Sequence, residues 1–454
     1  MKIPPRIIVP IILAVVLSIV IGGFLLWQIK SSIAIIETSF QGNQSTPSFL
    51  QGILKRSKET ATDASTSQSE ALTALREGEI FELKGEWKRA EEKYAASVTA
   101  GGGAPAIRKL IGIQLQRREY DAAAKSIGSL REERGNSADV TFLEGLLALD
   151  KGDATGALRT FQQKKDDPRN QFGAALAAII LGDHDAAKTN LSSAAESGDP
   201  DVRSSASIVL GAYGEFALFP AGQDVHLKTL LARAMAQVHA CEPALTLLDN
   251  VISSTPRYRD AWIVKGYCEF VGERLKESLA SLEQAYAIDP EKPEIQYFLA
   301  RTHAALGDPQ NAVTFLQYAI RNGFSPIRDA RELLADYAME LGNADLALEQ
   351  YKLLAAQDDG DLSDTARYVN LAVQSSAHGV DALEVAKRAL KQWPDDPRAL
   401  ALAAKAAIAA GLPDDAARYL QSALRIDPRN ADALAVQEAM KSGGAQKKSG
   451  KIEN

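Results

Sequence analysis

Apolar and small side chains recur along this chain with two periods. Within a window they fall at i, i+4 and i+7, and the windows return about every 34 residues. Ala285 to Pro290, AYAIDP, comes back at Ala423 to Pro428 as ALRIDP. Steps of 34 or 35 from Ser278 land on Ala312, Ala347, Ala382 and Ala416, and a step of 34 backwards reaches Ala244. Four residues after these six references stand Leu248, Leu282, Leu316, Tyr351, Ala386 and Leu420. Seven after stand Val251, Ala285, Ala319, Leu354, Ala389 and Ala423. That spacing puts each trio on one stripe of a helix.

A partner helix precedes each stripe. Twelve positions before the reference is another small residue, Ala232, Gly266, Ala300, Ala335 or Ala404, with Asn370 the exception. Five before are Gly307, Gly342 and Gly411, with Gly272 displaced by one; Pro256, Pro290, Pro394 and Pro428 close their units. Proline lacks an N–H and clashes with the preceding turn, so it ends the helix. The unit predicted is a helix, a tight glycine turn, a second helix and a proline exit, with the small residues where two antiparallel helices approach backbone to backbone. Helices this short are not stable alone. Stacking buries what one pair leaves exposed.

Upstream the same offsets give Gly78, Gly85, Ala90 and Tyr94, then Gly145, Gly152, Ala157 and Phe161, then Ala175, Gly182, Ala187, Leu191 and Ala194. Around Ala123 the match weakens, because Ile111 and Arg118 hold small-residue positions. About ten units are expected from residue 70 to 428. The interval Ala187 to Ala244 is 57 residues, one repeat plus 23, which predicts a joint with an extra helix around Asp201 to Phe216. Ala431 to Met440 is expected to close the final exposed face.

The pattern resembles the tetratricopeptide repeat family, best matched by DAWIVKGYCEFVGERLKESLASLEQAYAIDP at Asp260 to Pro290. Ser278 replaces the usual alanine, and Glu269 stands where an aromatic is common. The resemblance, to the membrane-anchored bacterial type, implies an all-α, right-handed superhelical solenoid of antiparallel helix pairs. It also implies a non-enzymatic scaffold that binds protein or peptide partners in a concave groove.

The N-terminus adds a different signal. Ile7 to Ile29 is a run of 23 residues without a charge, long enough as a helix to cross a hydrocarbon core of about 30 Å. It exceeds a signal-peptide core, and LWQIKSS after it lacks an A-x-A-like site. Lys2 and Arg6 flank it on one side and Lys30 on the other, which places the N-terminus in the cytoplasm and the repeats outside it. The expected organisation is an anchor over 1–30, a Ser/Thr/Gln-rich linker over 31–69, repeat blocks over 70–198 and 225–441 around a joint at 199–224, and a disordered tail over 442–454.

Composition narrows the function classes. With 51 basic and 58 acidic residues the net charge is −7, and no basic stripe points to nucleic acid. The five histidines form no H-E-x-x-H pattern, and AGGGAP at Ala100 to Pro105 lacks the lysine of a phosphate loop. No metal, cofactor or small-molecule substrate is expected. Cys241 and Cys268 are 27 residues apart; they are read as two small buried residues offset by more than a turn, a disulfide being the alternative.

Groove positions fall fifteen, eleven and eight before each reference. They give Thr229, Ile263 and Tyr297, then Arg233, Tyr267 and Arg301, then Ala236, Phe270 and Ala304. The middle set is a cation, an aromatic and a cation, suited to a peptide bearing carboxylates; the alternative is that Tyr267, Phe270 and Tyr297 pack between helices. Upstream, Phe142, Leu146, Phe172, Leu176 and Ile179 are apolar, which predicts a second contact zone or a surface that buries the linker. The expected role is support of a cell-envelope complex: pilus, secretion or envelope biogenesis. The alternatives are an obligate non-catalytic subunit of an envelope enzyme, or an enzyme whose site is built from distant residues, with Arg233, Arg301 and His303 as the local hint.

Overall fold

The computed structural model describes residues 66–83, 86–218, 223–357 and 361–449. Ile7 to Ile29, nearly all of the linker, Gly85 and residues 219–222 lie outside the described residues. Among those described, no helix is long and apolar enough to cross a membrane. All regular structure among them is helical.

The chain divides into two compact units, one ending at Pro290 and one beginning at Glu291. The first holds α1 (Thr66–Leu83), α2 (Trp87–Thr99), α3 (Gly103–Gln116), α4 (Tyr120–Arg134), α5 (Ala138–Asp150), α6 (Ala154–Gln162), α7 (Pro168–Leu181) and α8 (His184–Ala195). It continues with α9 (Pro200–Ala217), α10 (Asp224–Gln237), α11 (Cys241–Ser254), α12 (Arg259–Val271) and α13 (Leu275–Ile288). The second holds α14 (Pro293–Ala305), α15 (Pro309–Arg321), α16 (Ile327–Glu340), α17 (Ala344–Ala355), α18 (Leu362–Ala372), α19 (Gly379–Gln392), α20 (Pro397–Ala409), α21 (Pro413–Ile426) and α22 (Ala431–Ser449). Within each unit a helix packs on its successor, and first helices such as α5 and α7, or α18 and α20, also touch across the single second helix between them. The 57-residue interval is taken up by α9, which packs between α8 and α10. At the far end α22 packs on α20 and α21 and runs past Met440 into the segment expected to be a tail.

Size complementarity holds each pair. A Cβ on Gly78 would come within 3.0 Å of the Tyr94 ring, one on Gly145 within 3.0 Å of Phe161, and one on Gly266 within 3.0 Å of Leu282. In each case the residue twelve before the reference is the socket, and the side chain four after it is the knob. Backbone-to-backbone contact is therefore only part of the design: the small residue chiefly makes room for a ring or a leucine. Ser278 shows the direct approach as well, its Oγ donating to the Gly266 carbonyl at 2.8 Å. Phe161 also sits against Gly173 of the next first helix, so one ring ties two units together.

The turns carry a short signature. Gly152, Gly182, Gly307 and Gly342 adopt φ between 73° and 85°. Asp153, Asp183, Asp308 and Asn343 follow them, and each side chain accepts from the backbone N–H of the residue three ahead. Such a cap stabilises a helix by about 1 kcal/mol. Three turns depart: Arg118, His239 and Glu273 hold the left-handed conformation at φ 59°, 61° and 57°. Gly272 has φ −78°, so the displaced glycine does not take the special role. A side chain in that conformation costs roughly 1–2 kcal/mol relative to an ordinary one.

The unit around Ala382 also departs. Asn370, expected to face inward, is exposed and accepts from Lys405 Nζ at 2.7 Å, while neighbouring Val369 is fully buried. The inward register slips by one because α18 ends at Ala372 and an irregular stretch with a 3₁₀ turn at Ser376–His378 replaces the glycine turn.

Gly145→Ala is expected to destabilise the first unit by roughly 1–3 kcal/mol through overpacking against Phe161. Thermal unfolding of the variant checks it, and an unchanged midpoint would contradict the socket.

Candidate protein-binding surface

The expected groove residues divide between the two units, and each unit presents its own surface. In the first, Thr229 is buried and its hydroxyl donates to the Val225 carbonyl at 2.8 Å within its own helix. Tyr267 is buried as well. Neither is open to a docking protein, which corrects the open-groove expectation for both. Arg233 on α10 is half-buried and paired with Glu215 on α9; its charge is answered within the chain by the extra helix. Ile263 and Phe270 on α12 are half-buried and keep part of their surface in solvent.

In the second unit Tyr297 is buried, with its ring stacked on Phe324 at 4.1 Å between centroids. Burial raises its hydroxyl pKa. This is the packed alternative, not the groove. Arg301 is half-buried with its guanidinium 5.9 Å from the Tyr297 ring centroid.

The second unit also gathers a polar cluster outside the expected groove set. Arg328 donates to Asp364 at 2.7 Å and lies 3.2 Å from Glu332. Arg367 lies 6.0 Å from the Tyr351 ring centroid. One terminal nitrogen of Arg328 and one of Arg367 are buried without a hydrogen-bond partner. Burial raises the carboxyl pKa values of both Asp329 and Glu332, with Arg301 lowering the first and Arg328 and Arg367 the second. A buried guanidinium nitrogen lacking an acceptor is costly. The available signal was the fifteen-before offset itself, which lands on Glu332 and Arg367.

The remaining candidates have structural partners. Phe172, Leu176 and Ile179 are buried, while Phe142 and Leu146 are half-buried. Cys241 and Cys268 are free and buried. They are the two small core residues expected; burial pushes the Cys268 thiol up, and a hydrogen bond with Cys241 pushes it further. His303 stacks on Phe315 and lies 3.3 Å from Asp308. Among the described residues no group of three or more metal-ligating side chains forms.

Two family models, both described as tetratricopeptide repeat, match the chain: one over residues 113–170 and 231–293, the other over 273–322 and 378–440. Those segments are tetratricopeptide repeats. No curated protein matches it. Solved tetratricopeptide-repeat structures similar to it include YrrB, described as having an unusual peptide-binding site, at 17% identity over 42% of this chain and 97% of that one, TM-score 0.35. PilW, a type IV pilus biogenesis factor, is 20% identical over 48% of this chain and 99% of its own, TM-score 0.32. A thermophilic repeat protein of Thermus thermophilus, TTC0263, is 22% identical over 45% and 98%, TM-score 0.29.

One departure from the usual repeat is explained by its contacts. Glu269, buried at 5% exposure, accepts from Ser281 Oγ at 2.6 Å and lies 3.8 Å from Lys265. Burial raises its pKa above 4.5 despite those contacts. A carboxyl with a raised folded pKa favours the fold while protonated, and that contribution is lost as pH rises above the unfolded value. Glu269→Gln is therefore expected to gain stability over the wild type from pH 4 to pH 7, tested by denaturant melts across that range; a constant difference would contradict it.

Proposed function

We propose that the chain is a non-enzymatic scaffold, held at a membrane by Ile7 to Ile29 with its repeats outside the cytoplasm, that docks other proteins of a cell-envelope assembly. The docking surface is on the first helices of the second unit. The observation that carries this reading is the pair of buried guanidinium nitrogens on Arg328 and Arg367 without acceptors, beside half-buried Arg301. A partner segment with carboxylates would pair with the solvent-facing parts of these three half-buried arginines through charge-assisted hydrogen bonds. The apolar run before the linker supports the anchor, and the family supports protein binding over catalysis.

Proteins co-purifying from detergent with the tagged full chain, identified by mass spectrometry, provide the test. Arg301→Glu with Arg367→Glu is expected to remove that set while far-UV helicity stays intact, and retention of the same proteins would refute the surface. Arg233→Glu, which sets two carboxylates together at Glu215, is expected to act on stability and leave capture unchanged. A reporter fused after Asn454 is expected to be active outside the cytoplasm, and activity inside it would reverse the topology.

A further inference from the structure

α11 is buried on two faces. Its repeat stripe, Ala244, Leu248 and Val251, is covered as in other second helices, but Cys241, Leu245 and Leu247 are buried as well. By contrast α8 and α21 bury only their stripes, while α19 shares the burial at the same offsets through Leu383 and Val385. The additional neighbours are distant in sequence, since α11 packs against α5 and α7. α7 carries Phe172, Leu176 and Ile179, the buried apolar residues of the expected second contact zone.

The margin of this packing is ionic. Glu242 on α11, with a side chain 9% exposed, accepts from Arg118 Nη2 at 2.6 Å and from Arg274 Nη2 at 3.0 Å. Arg118 comes from the α3–α4 turn, 124 residues away. Beside it Gln116 Nε2 donates to the Val271 carbonyl at 3.3 Å, and Arg117 Nε lies 3.9 Å from Glu273. Asp150, at the end of α5, has its carboxyl pKa raised by burial and then by Glu242. Two of the three left-handed side chains, Arg118 and Glu273, are in this seam, and His239 is three residues before Glu242. Gly152, Gly182, Gly307, Gly342 and Gly411 hold that place in other turns; strained side chains persist where the surroundings over-determine them.

We propose that α11 is an internal ligand of the first repeats: it covers the faces of α5 and α7, and the Arg118–Glu242–Arg274 clamp is the catch that keeps it there. An apolar partner reaches α5 and α7 only when the catch is released. The packing of α11 on α5 and α7 keeps the closed form dominant, and the catch sets how seldom it opens.

Hydrogen–deuterium exchange of the full chain in detergent tests this. Arg118→Gln and Glu242→Gln are each expected to speed amide exchange in α7 and α11 about tenfold, the scale of one partly buried charged hydrogen bond. The double variant is expected to go no further than the stronger single one, because both remove the same pair. Exchange in α14 to α21 should not change, and binding of an apolar fluorescent dye should rise. Unchanged exchange in Arg118→Gln, a multiplicative double variant, acceleration spread equally over both units, or unchanged dye binding would each overturn the proposal. If Glu242→Gln does not fold, Arg118→Gln decides alone, since its side chain is 44% exposed and its loss leaves Arg274 on Glu242.

Discussion

The fit of one large side chain into the gap left by one small one is the constraint from which the rest of the structure follows. Phe161 can lie where it does only because Gly145 and Gly173 leave space on two neighbouring helices. The ring closes its own pair and fixes the next pair at the same time. Repeated at Tyr94 and Leu282, this contact sets the spacing of helices, and the spacing decides which first-helix positions face outward. Close packing makes interiors sensitive to a single methyl group, so the small residues are as informative as the large ones.

Legibility followed the locality of each interaction. Helix pairs, turns and proline exits depend on residues within one repeat, and the beat from Ser278 to Ala416 exposed them without coordinates. Val369 taking the place of Asn370 was not legible in the offset, because the slip results from a missing glycine turn several residues later. The groove was legible only in part. Offsets identified first-helix faces, but Thr229 and Tyr267 are buried, and Arg233 is answered by Glu215 on a helix outside the repeat register. Cys241 and Cys268 are free and buried, as their small size and place in the repeat suggested.

Contacts that depend on how the chain turns back on itself left no periodic trace. Glu242 meets Arg118 across 124 residues, and no spacing rule connects them. The trace that did exist was a set of exceptions: Arg118, His239 and Glu273 where the rhythm calls for glycine. A repeat protein writes its common architecture in what recurs and its individual features in what fails to recur.

The irregular stretch at Ser376–His378 has a mechanical implication. In a linear array, cohesion passes from neighbour to neighbour, and here one junction is an irregular stretch with a 3₁₀ turn where most others make a single left-handed bend. Force applied at the C-terminus would therefore cross this junction through side-chain packing, α18 on α19 and α18 on α20, with no sharp bend to brace it.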